Sequence, residues 1–523
     1  MRARIRAVSW LTGILATLVL SACGATSSNT SSPSQEPASE QAAKAPTVVK
    51  GGTLRLAAVD PGAAIDPVTV ASGAGVGIAG AVAENLTFIN DKGQPEGVLA
   101  TEWEPSEDGK TWTFTLRSGV QFQDGRPLTA ADVVASYERI IGPDSVSPGK
   151  SAFVGILKSV SASGDDTVEF RLERPFSDFP VLTAATNTYI LPEDYELGTW
   201  EKHPVGTGPF KLETYNKGQS AEFVANPTYW GKDDIYLAAL KINFYKDAQA
   251  RVLALQSGEV DSLLGEPLEA SLTAALSEDE YSVQSIPNAG FTAFALRTDE
   301  APFDDVKVRQ AVAWALDREG IVQTVLGGDG SIGNDTIYAP VYPLKPQGLE
   351  QRAQDLDRVK TLLGGKTVKF TITSSPADET LATVIQQQRH EVEGFDVDIK
   401  VLPSAEYYAD GNDAPWLNAT ATLTYWASRP SPSQYNGFLY SKASDWNASK
   451  YSNPKLEQIS AEYDAATDDA TKQTLIDQIA KIQWDEVPVI VTTYGKSRTF
   501  SSKQVHDIPQ VPGATRYQGL WVG

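Results

Sequence analysis

Polar and apolar residues alternate along Thr111-Trp112-Thr113-Phe114-Thr115-Leu116, which predicts a strand with one face in a core and the other in water. Val120 and Phe122 continue the alternation up to Asp124-Gly125, predicting a second strand that ends in a tight turn. Thr129-Ala130-Ala131-Asp132 reads as a capping box, and the apolar positions Val133, Val134, Tyr137, Ile140 and Ile141 behind it recur at helical spacing. Upstream, Gly51-Gly52 leads into Leu54 and Leu56, the pattern of a short edge-type strand. Asp304-Asp305 stand before the stripe Val308, Ala311, Val312, Ala315, Leu316 and Val322, which predicts one helix from Val306 to Leu326 with Gly327-Gly328 as its stop. Leu362-Leu363 followed by Gly364 predicts a helix end, and Val368 to Ile372 a strand. Phe291, Phe294 and Leu296 alternate behind a flexible Gly290, and Val487 to Tyr494 is a β-branched run. Helices and strands are interleaved, as in an α/β protein.

The N-terminus follows another pattern. Arg2, Arg4 and Arg6 precede an apolar stretch from Trp10 to Leu20, too short to span a bilayer and shaped like an export signal. It ends in Leu20-Ser21-Ala22-Cys23, which resembles a bacterial lipobox and holds the single cysteine of 523 residues. Cys23 is the expected lipid attachment point. Gly24 to Lys50, rich in Ser, Thr, Pro, Ala and Gln, cannot fill a core and reads as a flexible tether. Removing residues 1–22 takes away three arginines and no acidic residue, moving the formal charge from −22 to −25. Such acidity argues against a nucleic-acid partner. With its thiol acylated the chain has none left for a disulfide, so packing must hold it together.

Few residues suggest chemistry. Gly364-Gly365-Lys366-Thr367 looks like the end of a phosphate loop, but Lys360 stands where the first glycine belongs, and the helix-cap reading is better. His203, His390 and His506 are widely separated, so no zinc-type spacing exists. No G-x-S-x-G elbow occurs, and no enzyme, metal or cofactor signature is found.

Five collinear blocks carry a resemblance: "LATEWEPSEDGKTWTFTLRSGVQFQDGRPLTAADVVASYERI", "HPVGTGPFKL", "ANPTYWGK", "VLALQSGEVD" and "APFDDVKVRQAVAWALDREGIV". Together they resemble the extracytoplasmic solute-binding proteins of the dipeptide, oligopeptide and nickel class that feed ABC transporters. The resemblance implies a periplasmic-binding-protein-like α/β fold of the type II, cluster C architecture, with two main lobes, hinge crossings and an additional domain. The expected limits are 1–22 for the signal, 23–49 for the tether, 50–90 with 203–287 and 488–523 for the first lobe, 91–202 for the additional domain and 288–487 for the other lobe. Asn288 to Leu296 and Val487 to Tyr494 are then the two crossings. Implied partners are a peptide or small polar solute, permease subunits, and the membrane through the lipid; a monomer is expected.

The segment "TYWASRPSPSQYNGFL" gathers Tyr425, Trp426, Arg429 and Tyr435 among turn-forming residues, a composition suited to an enclosed small ligand. In the resembling peptide binders this stretch reads tryptophan, small residue, aspartate, any residue, proline, aspartate, proline, and the first aspartate holds the ligand's α-ammonium. Aligned on Trp426, Pro430 and Pro432, this chain has Ser428 at that aspartate and Arg429 beside it. The expectation is a carboxylate-bearing ligand held by Arg429, with Tyr425, Trp426, Ser428, Asn288 and Phe291 around it. The alternative for Arg429 is a solvated loop cation, and for Trp426 a core side chain. The alternative functions are a nickel, metal-chelate or opine receptor of the same family and a lipid-anchored hydrolase.

Overall fold

A computed structural model describes residues 47–62, 65–264, 268, 270–390, 392–409, 411, 413–508 and 516–523. The chain divides into Met1–Thr47 and Val48–Gly523, and the architecture below is that of the second unit. The export signal, Cys23 and most of the tether lie outside the described residues.

Three sheets organise the second unit. The largest runs in the order Tyr281–Pro287, Thr493–Ser502, Ser262–Leu263, Thr53–Val59, Ala239–Tyr245, Ser220–Ala225, Phe210–Asn216, with Gly330–Ile332 also on Thr493–Ser502. Thr53–Val59 is therefore an interior strand, not the expected edge: it pairs in parallel with Ala239–Tyr245 on one side and Ser262–Leu263 on the other. Leu54, Leu56 and Ala58 enter one core and Ala57 another, so both faces are covered, as parallel strands require.

A four-stranded antiparallel sheet joins Ala100–Pro105, Thr111–Leu116, Thr167–Leu172 and Leu157–Ala162. Trp112, Phe114 and Leu116 point into its core, as the alternation predicts. Helix Ala130–Ile141 covers it with Val133, Tyr137 and Ile140. The Thr129 N–H donates to Asp132 Oδ2 at 2.8 Å, the reciprocal half of the capping box. The second strand of the expected pair shrinks to a single bridge between Gln121 and Pro127, although Val120 and Phe122 are buried. A turn centred on Asp124-Gly125 closes too tightly for a ladder to extend.

The third sheet runs Phe395–Val401, Val368–Ser374, Ala421–Trp426, Phe291–Leu296, Val489–Val491. Its first three strands are parallel and the last two antiparallel to their neighbours. Gly364 has φ of 57° and caps helix Leu356–Leu363, as read from the sequence. The predicted Val306–Leu326 helix is two helices, Val306–Trp314 and Arg318–Leu326. Asp317 breaks it by accepting from the Gly320 N–H at 3.0 Å, starting a new helix whose Arg318 reaches buried Asp335 at 2.6 and 2.8 Å.

Two crossings join the large sheet to the third one. Tyr281–Pro287 gives way to Phe291–Leu296 after three residues, and Val489–Val491 to Thr493–Ser502 after one. The crossing strands run side by side, with Pro287 opposite Lys496 and Ala293 opposite Val491. Among the described residues no helix is long and apolar enough to cross a membrane.

Candidate functional site

Strand Ala421–Trp426 ends beside the first crossing, Phe291 facing Trp426 and Thr292 facing Tyr425. Successive side chains of a strand point to opposite faces. Trp426 is accordingly buried while Tyr425 is 57 % exposed. The Trp426 ring stacks on Phe438 at 5.8 Å and meets Trp446 at 5.9 Å; Phe438 and Trp446 lie 5.0 Å apart. Trp446 keeps 40 % of its surface open, so the trio forms an aromatic shelf with one free edge.

Arg429 lies against this shelf, its guanidinium carbon 5.3 Å from the Phe438 ring centre. Its Nε is buried without a hydrogen-bond partner, and among the described residues no acidic side chain pairs with it. Burial lowers its pKa from the ordinary arginine value, with Tyr435 and Tyr342 opposing the shift. The backbone around it is rigid: the Arg429 N–H donates to the Tyr435 hydroxyl at 3.0 Å, and its carbonyl accepts from the Tyr342 hydroxyl at 2.8 Å. The Tyr435 hydroxyl also lies 2.8 Å from the Ala427 carbonyl and 3.0 Å from the Ala289 carbonyl, tying the loop to the crossing. A half-buried guanidinium on an aromatic support, held by fixed backbone, has the donors and the charge to pair with an anion.

The loop continues through exposed Ser428 to helix Pro432–Leu439. Ser431 at its start donates to Asp178 Oδ2 at 2.6 Å, and Lys472 reaches Asp178 Oδ1 at 2.7 Å. Ser433 and Arg174 both bond Asp464, whose pKa burial pushes up to about 6. A cavity of about 340 Å³ lies next to the loop, walled by Pro430, Pro432, Tyr342, Trp103, Trp112 and Asp178. That volume is within the range of small-ligand pockets.

Two sequence candidates have other work. Phe291 is 2 % exposed and packs between Tyr435 at 5.0 Å and Tyr494 at 5.7 Å, so it supports the loop from the core and touches no open surface. Its alternation with Phe294 and Leu296 signalled burial, which is what the fold delivers. Asn288 braces the crossings: its N–H donates to Gly495 O at 3.1 Å, its Nδ2 to Ser497 Oγ at 3.2 Å, and its Oδ1 accepts from the Gly290 N–H at 2.6 Å. Phe438 and Trp446 were not singled out from sequence; Trp446 sits in a polar stretch with no periodic signal. His506 stacks on Trp521 at 3.9 Å, and among the described residues no group of three His, Cys, Asp or Glu side chains is placed to hold a metal ion.

Sheets linked by paired crossings, with an aromatic and cationic group at the strand ends, have the build of a solute-binding protein. The chain belongs to the bacterial extracellular solute-binding proteins, family 5, whose model matches residues 94–448. It is 28 % identical to the dipeptide-binding protein of Escherichia coli (strain K12) over 436 residues, 76 % of this chain and 80 % of that one. With the nickel-binding periplasmic protein of the same organism it shares 25 % over 453 residues, 80 % and 84 % of the two chains. A 33 % match to the probable D,D-dipeptide-binding periplasmic protein of that organism spans about half of each, 46 % and 48 %. The fold superposes on HbpA2 from Haemophilus parasuis with a TM-score of 0.80 at 25 % identity, covering 90 % of this chain and all of that one. The three curated relatives are named as binding proteins, and the mixed α/β fold described above is shared with the solved one.

Proposed function

We propose that the protein is a lipid-anchored, non-enzymatic receptor of an ABC importer that captures a peptide or related small polar solute outside the cell and passes it to a permease. Cys23 carries the anchor, and residues 24–49 tether the body to the outer face of the membrane. Residues 50–90, 203–287 and 488–523 form one lobe, 91–202 an additional domain and 288–487 the opposing lobe, with the paired crossings as hinge. The three-sheet division and the two adjacent crossings support this assignment, since such a hinge allows closure driven by contacts on both sides.

The observation that carries the ligand reading is Arg429, a half-buried guanidinium beside the Trp426–Phe438–Trp446 shelf with no acidic partner among the described residues. A ligand carboxylate supplies the missing charge, and the shelf takes an adjoining side chain. Ser428, exposed next to it, contributes a hydroxyl rather than the aspartate of the resembling peptide binders.

Thermal denaturation against di- to pentapeptides, opines and metal chelates tests the class. A native-state ligand raises stability by about 2.7 kcal/mol at a hundredfold excess over its Kd. Peptides or opines are expected to protect; protection by metal chelates alone would replace the carboxylate reading by the metal-chelate one, and turnover of any member would make the chain a hydrolase.

A further inference from the structure

The third sheet holds a second unmatched charge. Strands Val368–Ser374, Phe395–Val401 and Ala421–Trp426 are parallel, so their C-terminal ends share one edge. In open α/β sheets ligands settle at that edge. Trp426 ends one strand and Arg429 follows it. The turn Pro376–Asp378 follows the end of another, and Tyr408 the end of the third.

Asp378 is 6 % exposed, and its Oδ1 accepts from the Thr292 hydroxyl at 3.1 Å, its Oδ2 from the Ser375 hydroxyl at 3.4 Å. No lysine, arginine or histidine among the described residues pairs with it. A carboxylate has about four acceptor positions, and two neutral hydroxyls leave it half satisfied. Helix Glu379–His390 begins here, and its dipole favours an acidic residue, yet an exposed cap would serve that purpose equally. Burial without a cation is what calls for explanation. Two tyrosines are open near it: Tyr425 faces Thr292 in register, the Asp378 charge acts on Tyr408, and the two rings are 57 % and 42 % exposed. Electron-rich ring faces suit a cation. Burial also raises the Asp378 pKa, so the bare carboxylate is the strained form and gains from a positive partner.

We propose that Asp378, with Thr292 behind it and Tyr425 and Tyr408 at its mouth, is the clamp for a protonated amine of the solute. It takes over the role that Ser428 cannot fill. The inference rests on the receptor reading above and narrows it: the solute is zwitterionic, its amine at Asp378 and its carboxylate at Arg429, both at the same sheet edge.

Two probes separate this proposal from the peptide reading. n-Butylammonium chloride, compared with n-butanol, tests the clamp without a peptide. It is expected to raise the Tm of the wild type and leave Asp378→Asn unmoved. That variant should fold, because it removes a buried charge. Calorimetry with trialanine and N-acetyl-trialanine tests the amine in context: acetylation should weaken binding to the wild type by about tenfold or more, as for loss of a charge-assisted bond. Asp378→Asn should bind the two alike. Butylammonium acting equally on both proteins, or on neither, overturns the clamp, and so does N-acetyl-trialanine binding as tightly as trialanine. If trialanine does not bind but butylammonium protects through Asp378, the peptide reading fails and the clamp stands. The two wild-type comparisons hold without any variant.

Discussion

Arg429 carries its guanidinium on an aliphatic stem and sets it 5.3 Å from the Phe438 ring centre with no acidic partner among the described residues, so stem and head can be tested apart. Arg429→Met keeps the stem. It is expected to leave Tm nearly unchanged while weakening binding of a carboxylate ligand by two orders of magnitude or more, since breaking a buried charge pair costs about 3–5 kcal/mol. Calorimetry against a peptide and its C-terminal amide checks this: the variant should no longer distinguish them. Trp426→Ala, by contrast, should destabilise the unliganded protein by about 3–5 kcal/mol, as for other large aromatic truncations in cores. A second buried group predicts a pH response. Glu84 accepts from Tyr229 at 2.7 Å, Thr207 at 2.9 Å and Trp230 at 3.0 Å, yet burial outweighs these bonds and pushes its pKa up to about 7. A carboxylate with a raised folded-state pKa binds more protons folded than unfolded, so its contribution to stability is full below about 4.5 and is lost as pH rises through about 7. Glu84→Gln should flatten that fall, which is on the order of 3 kcal/mol at 1.36 kcal/mol per pKa unit. Chemical denaturation across pH 4 to 8 reads it. At this scale a departure from a familiar motif points to Arg429 and Trp426, whereas nothing in the sequence marks Asp378 and Trp446, whose surroundings are brought together by folding.

Local devices were the legible part of the elements. The Asp132 arm of the capping box, Asp305 accepting from the Lys307 N–H at 2.9 Å and the left-handed Gly327 and Gly364 act within a few residues, where pattern reading has purchase. The misreadings arose where a distant or overriding contact decided. Thr53–Val59 looks like an edge until Ala239–Tyr245 and Ser262–Leu263, about two hundred residues on, flank it in parallel. The Val306–Leu326 stripe conceals a break because Asp317 is an acceptable helix residue but a better cap. Asp317→Ala should therefore lower stability by about 1 kcal/mol, the usual worth of an N-cap, as measured by urea denaturation. At the crossings, Asn288→Ala removes two side-chain bonds and should speed amide exchange at Gly290 by hydrogen–deuterium exchange, with a stability loss of about 1–3 kcal/mol. Unchanged exchange there would deny Asn288 its bracing role.

For the whole molecule, the proposed receptor needs an anchor, a hinge and a site that meets both charges of its solute. The anchor is tested by fractionation of Cys23→Ser, which should move the protein from the membrane to the soluble fraction. Two acyl chains hold a protein stably, whereas one binds marginally. Mixed α/β architecture and family membership were readable from five collinear blocks, because long-range order survives in motif order; the solute was not, because the cleft is assembled from segments far apart in the chain. The most direct test of the central claim is native mass spectrometry of gently purified wild type beside Arg429→Met. The wild type is expected to carry one small carboxylate-bearing solute and the variant to be empty. A wild type and variant carrying the same adduct, or an adduct without a carboxylate, would contradict that claim.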